Sequence, residues 1–194
     1  VNYIKFFLLG YCIFIVQNIA ANEVRLEKYP GGEKKIESTY NVQNMLINEK
    51  KYRIDGKVEY EMFMDQGRKI EIEFSYHPSG DLFRERKLVN GVQDGLEKEY
   101  YPSGKIKAQR EYKNGKKNGN AKGFYENGKI QGDWEFENGD PISAKIYHMT
   151  GDLYLEHEFK GGKIHGKTKE YDGFGQLKAI RYYENDKMIK RELK

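Results

Sequence analysis

From about residue 29 onward the chain alternates apolar and polar side chains in short runs, each broken by a glycine turn. Lys105 to Lys113 is representative. Ile106, Ala108 and Tyr112 fall on one face of an extended strand, and Lys107, Gln109 and Glu111 fall on the other. A period of two predicts strands, here of about nine residues, and no stretch past the first twenty or so residues shows a helical period.

The runs repeat. Gly32, Gly56, Gly80, Gly104, Gly128, Gly151 and Gly175 are separated by 24, 24, 24, 24, 23 and 24 residues, a fixed period that marks a repeat architecture. A second turn column holds Gly67, Gly91, Gly115, Gly139 and Gly162, then Asp186. Three further columns are mostly apolar or aromatic. Lys34, Val58, Leu82, Ile106, Ile130, Leu153 and Leu177 lie just after the leading glycine. Tyr40, Met64, Leu88, Tyr112, Phe136, Phe159 and Tyr183 follow, and Tyr52, Tyr76, Tyr100, Phe124, Tyr147 and Tyr171 precede the next one.

The turns carry their own chemistry. Asn90-Gly91, Asn114-Gly115, Asn138-Gly139 and Gly161-Gly162 tolerate the positive φ angles of a two-residue hairpin turn that matches strand twist. Tyr101-Pro102-Ser103-Gly104 predicts a wider turn with Pro102 at its second position and Gly104 in the left-handed region of a bulge. Tight connections force neighbouring strands to be antiparallel. The expected fold is all-β: an elongated single-layer meander of about seven 24-residue hairpins and up to fourteen strands, with the apolar columns forming ladders across it. The unit between Gly128 and Gly151 is one residue short. A bulge near Asp140 to Ser143 must absorb the loss, because a one-residue slip would turn every later side chain over. The first and last units are degenerate, as the caps of an open array require.

Composition agrees with a thin sheet. Hydrophobic residues make up only 38 % and charged ones 33 %, too lean for a two-layer core, while 14 % aromatics and four prolines argue against disorder. Residues 1–21 stand apart: Lys5, the apolar run Phe6 to Val16, then Ala20-Ala21 form the pattern of a secretory signal peptide. The expected division is a signal peptide over 1–21 and the repeat domain over 22–194, giving an exported protein without a stable membrane span after cleavage. Cys12 is the single cysteine and lies in the leader, which excludes disulfides and thiolate chemistry from the mature chain. A net charge of +4 is too small for a dedicated nucleic-acid binder.

Phe124-Tyr125-Glu126-Asn127-Gly128-Lys129-Ile130 and Tyr112-Lys113-Asn114-Gly115-Lys116 together resemble the variant MORN repeats of bacteria. The resemblance recurs in phase from Tyr29 to Asp186. It implies an elongated hairpin sheet. Many bacterial members are labelled as antitoxins, and eukaryotic ones are linked to membrane lipids and scaffolding. No catalytic motif comes with it.

The candidate residues read mainly as architecture. His77 and His148 occupy one turn-flanking column with Arg53, Tyr101, Tyr125 and Asp172. With a two-residue turn at Gly161-Gly162, His165 falls opposite Glu158 and His157 opposite Gly166, so the two imidazoles face opposite ways and make no metal site. Glu97, Glu99, Glu111, Glu135 and Glu158 alternate with Lys and Arg, as on a solvated sheet face. No phosphate loop, triad or metal motif occurs, and no catalytic, cofactor or metal residue is assigned. The expectation is a non-enzymatic protein-binding or scaffolding module. The alternatives are a cell-wall glycan binder using Tyr100, Tyr112 and Phe124, with Trp134 the only tryptophan, and an antitoxin-like component.

Overall fold

A computed structural model describes residues 22–194. The signal peptide expected over 1–21 lies outside the described residues. The strands are β1 Glu23–Lys28, β2 Lys34–Tyr40, β3 Leu46–Tyr52, β4 Val58–Asp65 and β5 Arg68–Tyr76. They continue as β6 Leu82–Val89, β7 Val92–Tyr100, β8 Ile106–Lys113, β9 Lys116–Phe124 and β10 Ile130–Glu137. The last are β11 Asp140–Tyr147, β12 Leu153–Lys160, β13 Lys163–Tyr171, β14 Leu177–Glu184 and β15 Lys187–Leu193. They form one antiparallel sheet in sequence order, with open edges at β1 and β15. At about 4.8 Å per strand it extends roughly 65–70 Å. The count is fifteen, one more than the repeat arithmetic gave, because β1 pairs ahead of the first turn.

Two kinds of turn alternate along the two long rims. At the first rim Tyr101 N–H donates to the Lys105 carbonyl at 2.8 Å and Gly104 N–H donates to the Tyr101 carbonyl at 2.9 Å, with Gly104 at φ 79°. The same pair of bonds recurs at Tyr29, Arg53, His77, Tyr125, His148 and Asp172. At the second rim both residues of Asn90-Gly91, Asn114-Gly115 and Asn138-Gly139 have positive φ, as a two-residue turn of this twist requires. The first turn on that rim departs: Asn41 to Met45 forms the wider turn, with Asn44 at φ 59° in the place of glycine.

The apolar columns do not run as continuous ladders. They pair across the first-rim turns instead: Tyr52 with Val58, Tyr76 with Leu82, Tyr100 with Ile106, Phe124 with Ile130, Tyr147 with Leu153 and Tyr171 with Leu177. The Tyr112 column lies on the opposite face, where Tyr112 sits across from Gly95 and its hydroxyl reaches Glu97 at 3.5 Å. Bulges next to each turn separate the two columns.

One face carries a row of alternating charge. Cross-strand partners share a face, so the register Glu85–Lys98–Gln109–Lys122–Asp133–Lys145–Glu156–Lys169 traces one line. Ion pairs join Lys98 to Glu85 at 2.8 Å, Lys122 to Asp133 at 3.5 Å and Lys169 to Glu156 at 3.0 Å. Each is worth little alone at this exposure, but opposite signs on adjacent strands penalise a slipped register.

Candidate functional site

The other face holds the sheet's buried groups and its irregularities. Its central row reads Glu73–Arg86–Glu97–Arg110–Ala121–Trp134–Ala144–His157–Thr168–Arg181. Glu97 is buried and paired with Arg110 at 3.1 Å, and Arg110 also holds Glu99 at 2.8 Å. Between Arg110 and Arg181 the row carries no carboxylate, lysine or arginine. Ala121 and Ala144 are buried there, and the adjoining row supplies buried Ala108 with Gly123 and Gly132.

A one-residue bulge accompanies every first-rim turn. In β8, Glu99 pairs with Ala108 and Tyr100 with Ile106, leaving Lys107 extra. The equivalent extra residues are Lys35, Glu59, Phe83, Gln131, Tyr154 and Lys178. Bulges re-aim side chains. Lys107 lines a depression with Ala108 and Arg110, Gln131 approaches Gly123, and Lys178 pairs with buried Glu170 at 3.3 Å, all on the tryptophan face. The turn residue meets the bulge residue of its own unit: His77 edges onto Phe83 at 5.0 Å, His148 onto Tyr154 at 4.6 Å, and Lys107 lies 5.9 Å over Tyr101.

The turn column also staples neighbouring units. The hydroxyls of Tyr29, Tyr101 and Tyr125 donate to the carbonyls of Tyr52, Phe124 and Tyr147 at 2.7, 2.7 and 2.8 Å, and His77 Nε2 lies 3.0 Å from the Tyr100 carbonyl. Lys105 adds a bond to Glu126 at 2.9 Å, and Lys57 and Lys129 reach the turns of Gly80 and Thr150. The turn at Asp172 is instead fastened from within. Asp172 Oδ1 accepts from Phe174 and Gln176 N–H at 2.9 Å each, as Asn41 does for Gln43 and Met45 at the first second-rim turn. This is an Asx cap on each terminal unit.

Larger bulges explain the carboxylates. In β9 the pairs Arg110–Ala121 and Tyr112–Lys117 leave two extra residues around Gly119, at φ 99°. Glu111 folds over that bulge, accepting from Asn120 N–H at 3.3 Å, and Glu158 does the same for Lys167 at 2.9 Å beside Gly166. In the short unit the bulge loses one residue and Ser143 approaches Glu135 at 3.5 Å; β11 stays continuous through Pro141. The Gly166 bulge also corrects the expected register. His157 pairs with Thr168, its Nδ1 3.0 Å from the hydroxyl, and not with Gly166. His165 lies within the bulge, its Nδ1 buried without a hydrogen-bond partner. Burial, then the charge of Arg181, holds the His157 imidazole below its usual range. Among the described residues no group of three or more His, Cys, Asp or Glu is placed to hold a metal ion, and no helix is long and apolar enough to cross a membrane.

The candidate aromatics are spoken for. Burial and a hydrogen bond to Glu85 at 2.9 Å push the Tyr100 phenol up to about 12. Tyr112 reaches Glu97, and Phe124 packs with Ile130. Trp134 is different: it is half-buried and lies on glycine. Sequence periodicity gave no sign of this, because the signal is a pair of glycines on two strands.

The fold defines an open, single-layer β-hairpin repeat protein. Residues 93–114, 117–138 and 164–185 each match the MORN repeat variant, so the chain carries three such repeats. Each match spans one first-rim hairpin: β7–β8, β9–β10 and β13–β14. No curated protein matches the chain. Among solved structures, TarM aligns at 8 % identity over 72 % of this chain and 20 % of that one, with a TM-score of 0.24. A mutant of S. aureus TarM in complex with Fondaparinux, alpha-GlcNAc-glycerol and UDP aligns at 9 % identity over 73 % and 21 %, with a TM-score of 0.25. A protein of unknown function from Bacteroides fragilis aligns at 9 % identity over 91 % and 94 %, with a TM-score of 0.17. The chain spans about a fifth of the length of the two TarM structures. Likenesses this low carry no weight for fold or function.

Proposed function

We propose that this MORN-repeat protein is a non-catalytic binding scaffold that engages a protein partner along its tryptophan face. The bulge row carries the reading. The turn glycines and apolar pairs keep one chemistry from unit to unit, whereas the bulge position varies as Lys35, Glu59, Phe83, Lys107, Gln131, Tyr154 and Lys178. Two strands separate successive copies, about 9–10 Å. A rigid ruler with exchangeable side chains suits recognition of an extended surface, and Tyr154 with nearby Trp134 supplies residue types that anchor such contacts. The opposite face neutralises itself through its charge row. The encounter is placed outside the cytoplasm on the leader pattern of Lys5 and Phe6 to Val16. N-terminal mass spectrometry of the envelope or secreted fraction should find a chain starting at Ala21 or Asn22. The scaffold reading is tested with a photo-crosslinking residue placed at Gln131 or Tyr154, and in parallel at Lys122 or Lys145 on the opposite face. One discrete adduct from the first pair only is expected. Adducts confined to Lys122 and Lys145, or none at all, would overturn it.

A further inference from the structure

The interval between Arg110 and Arg181 holds a second feature, which shares Lys107 and Gln131 with the bulge row and is testable on the chain alone. The Trp134 indole lies over Gly132 and Gly123. A Cβ on Gly132 would collide with the ring, and one on Gly123 would touch its edge at 3.5 Å. The cross-strand neighbours are Ala121 and Ala144, both buried, so no tall side chain stands across from it on either neighbouring strand. One indole face therefore rests on backbone, and among the described residues no ring or cation stacks on the other. A depression of about 180 Å³ opens next to it, with Glu99, Arg110, Lys107 and Gln131 on its border and Ala108 and Gly123 as its floor.

We propose that one pyranose ring of an oligosaccharide stacks on the open face of Trp134, with its hydroxyls turned toward the border of this depression. The apolar C–H face of a pyranose complements an aromatic face. Its equatorial hydroxyls need groups that both donate and accept. The Gln131 amide does both, the Glu99 carboxylate accepts and the Lys107 ammonium donates. Arg110 is already held by Glu97 and Glu99, which fixes Glu99 in place, and Lys107 balances the second carboxylate, so the border carries no net charge. A neutral border with a single ring lacks the aromatic cage that holds a quaternary ammonium guest. A proline-rich segment needs an aromatic-lined groove, and here there is one ring.

Trp134 is the only tryptophan, so emission excited at the indole band reports on this site alone. The full chain is titrated with a panel of tetrasaccharides of β-linked glucose, N-acetylglucosamine and xylose and of α-linked glucose. Decaproline and tetramethylammonium serve as competing guests. At least one saccharide should give a saturable emission change at millimolar concentration or below. Calorimetry with that saccharide should show affinity reduced by at least about tenfold, or 1.4 kcal/mol, in Trp134→Ala and in Gly132→Ala. Gln131→Ala should weaken it severalfold without touching the floor, and Lys145→Ala on the opposite face should leave it unchanged. Circular dichroism verifies that each variant is folded. No saturable change with any saccharide, binding that survives Trp134→Ala, or tighter binding of decaproline or tetramethylammonium would overturn the assignment.

Discussion

At the scale of single residues the sheet depends on groups that a composition table would assign to solvent. Glu170 is buried and surrounded by Arg181 at 2.5 Å, Lys178 at 3.3 Å and Arg191 at 3.5 Å. Burial opposes its charged form, but the hydrogen bonds and charges of Arg181 and Lys178 prevail and hold the carboxyl below the usual carboxylate range. Lys169 and Tyr171 lower Glu156, and Lys69 and Tyr60 lower Glu71, in the same way against burial. A lowered folded pKa means stability that is fully present above the unfolded value, about 4.3, and is lost as pH falls through the folded value. The melting temperature should therefore fall steeply below about pH 4.5, and Glu170→Gln should flatten that slope while lowering the plateau near neutrality. A melting profile from pH 7 to about pH 3 checks this. Gly119 is a second such residue. Its φ of 99° strains any residue with a Cβ, and the Glu111 carboxylate would have to swing off the bulge, so Gly119→Ala should cost about 1–2 kcal/mol in urea unfolding. Gly123→Ala, at ordinary contact distance and ordinary φ, should cost clearly less.

At the scale of the hairpin, stability comes from stitching between units. Tyr101 exists to reach the Phe124 carbonyl of the next turn, so Tyr101→Phe should destabilise by about 1 kcal/mol. Amide exchange should accelerate at the turns on both sides of the lost bond, which a purely local defect would not do. This column was visible in the sequence only as variation among Tyr29, His77, Tyr101 and His148. Its meaning depends on a carbonyl some 22 or 23 residues away, and periodicity does not reveal where a hydroxyl ends. The turns were legible because Asn-Gly and Pro-Ser-Gly state their backbone angles directly. The bulges beside the first-rim turns and in the short unit were legible too, but the two-residue bulges were not. Gly95, Gly119 and Gly166 looked like ordinary strand positions, and missing Gly166 displaced the expected partner of His157 by two residues. Trp134 was hidden for a similar reason: its platform is assembled from Gly123 on one strand and Gly132 on the next.

At the scale of the molecule, every strand pairs only with its neighbours in sequence, so stability is a sum of near-identical links and not the closure of one core. Removing residues 177–194 should leave a shorter folded sheet whose urea m-value falls roughly in proportion to the surface lost. Loss of all β signal in circular dichroism would contradict a linear array. The staples add a direction to this line. Tyr29, His77, Tyr101 and Tyr125 all reach toward the later unit, never the earlier one, until Asp172 turns its bonds inward. On a ribosome the earlier hairpins emerge first and present an outstretched side chain to chain not yet made. A chain that folds as it emerges from the ribosome or an export channel thus brings each new turn to a waiting donor, and would fasten the sheet from its N-terminal end.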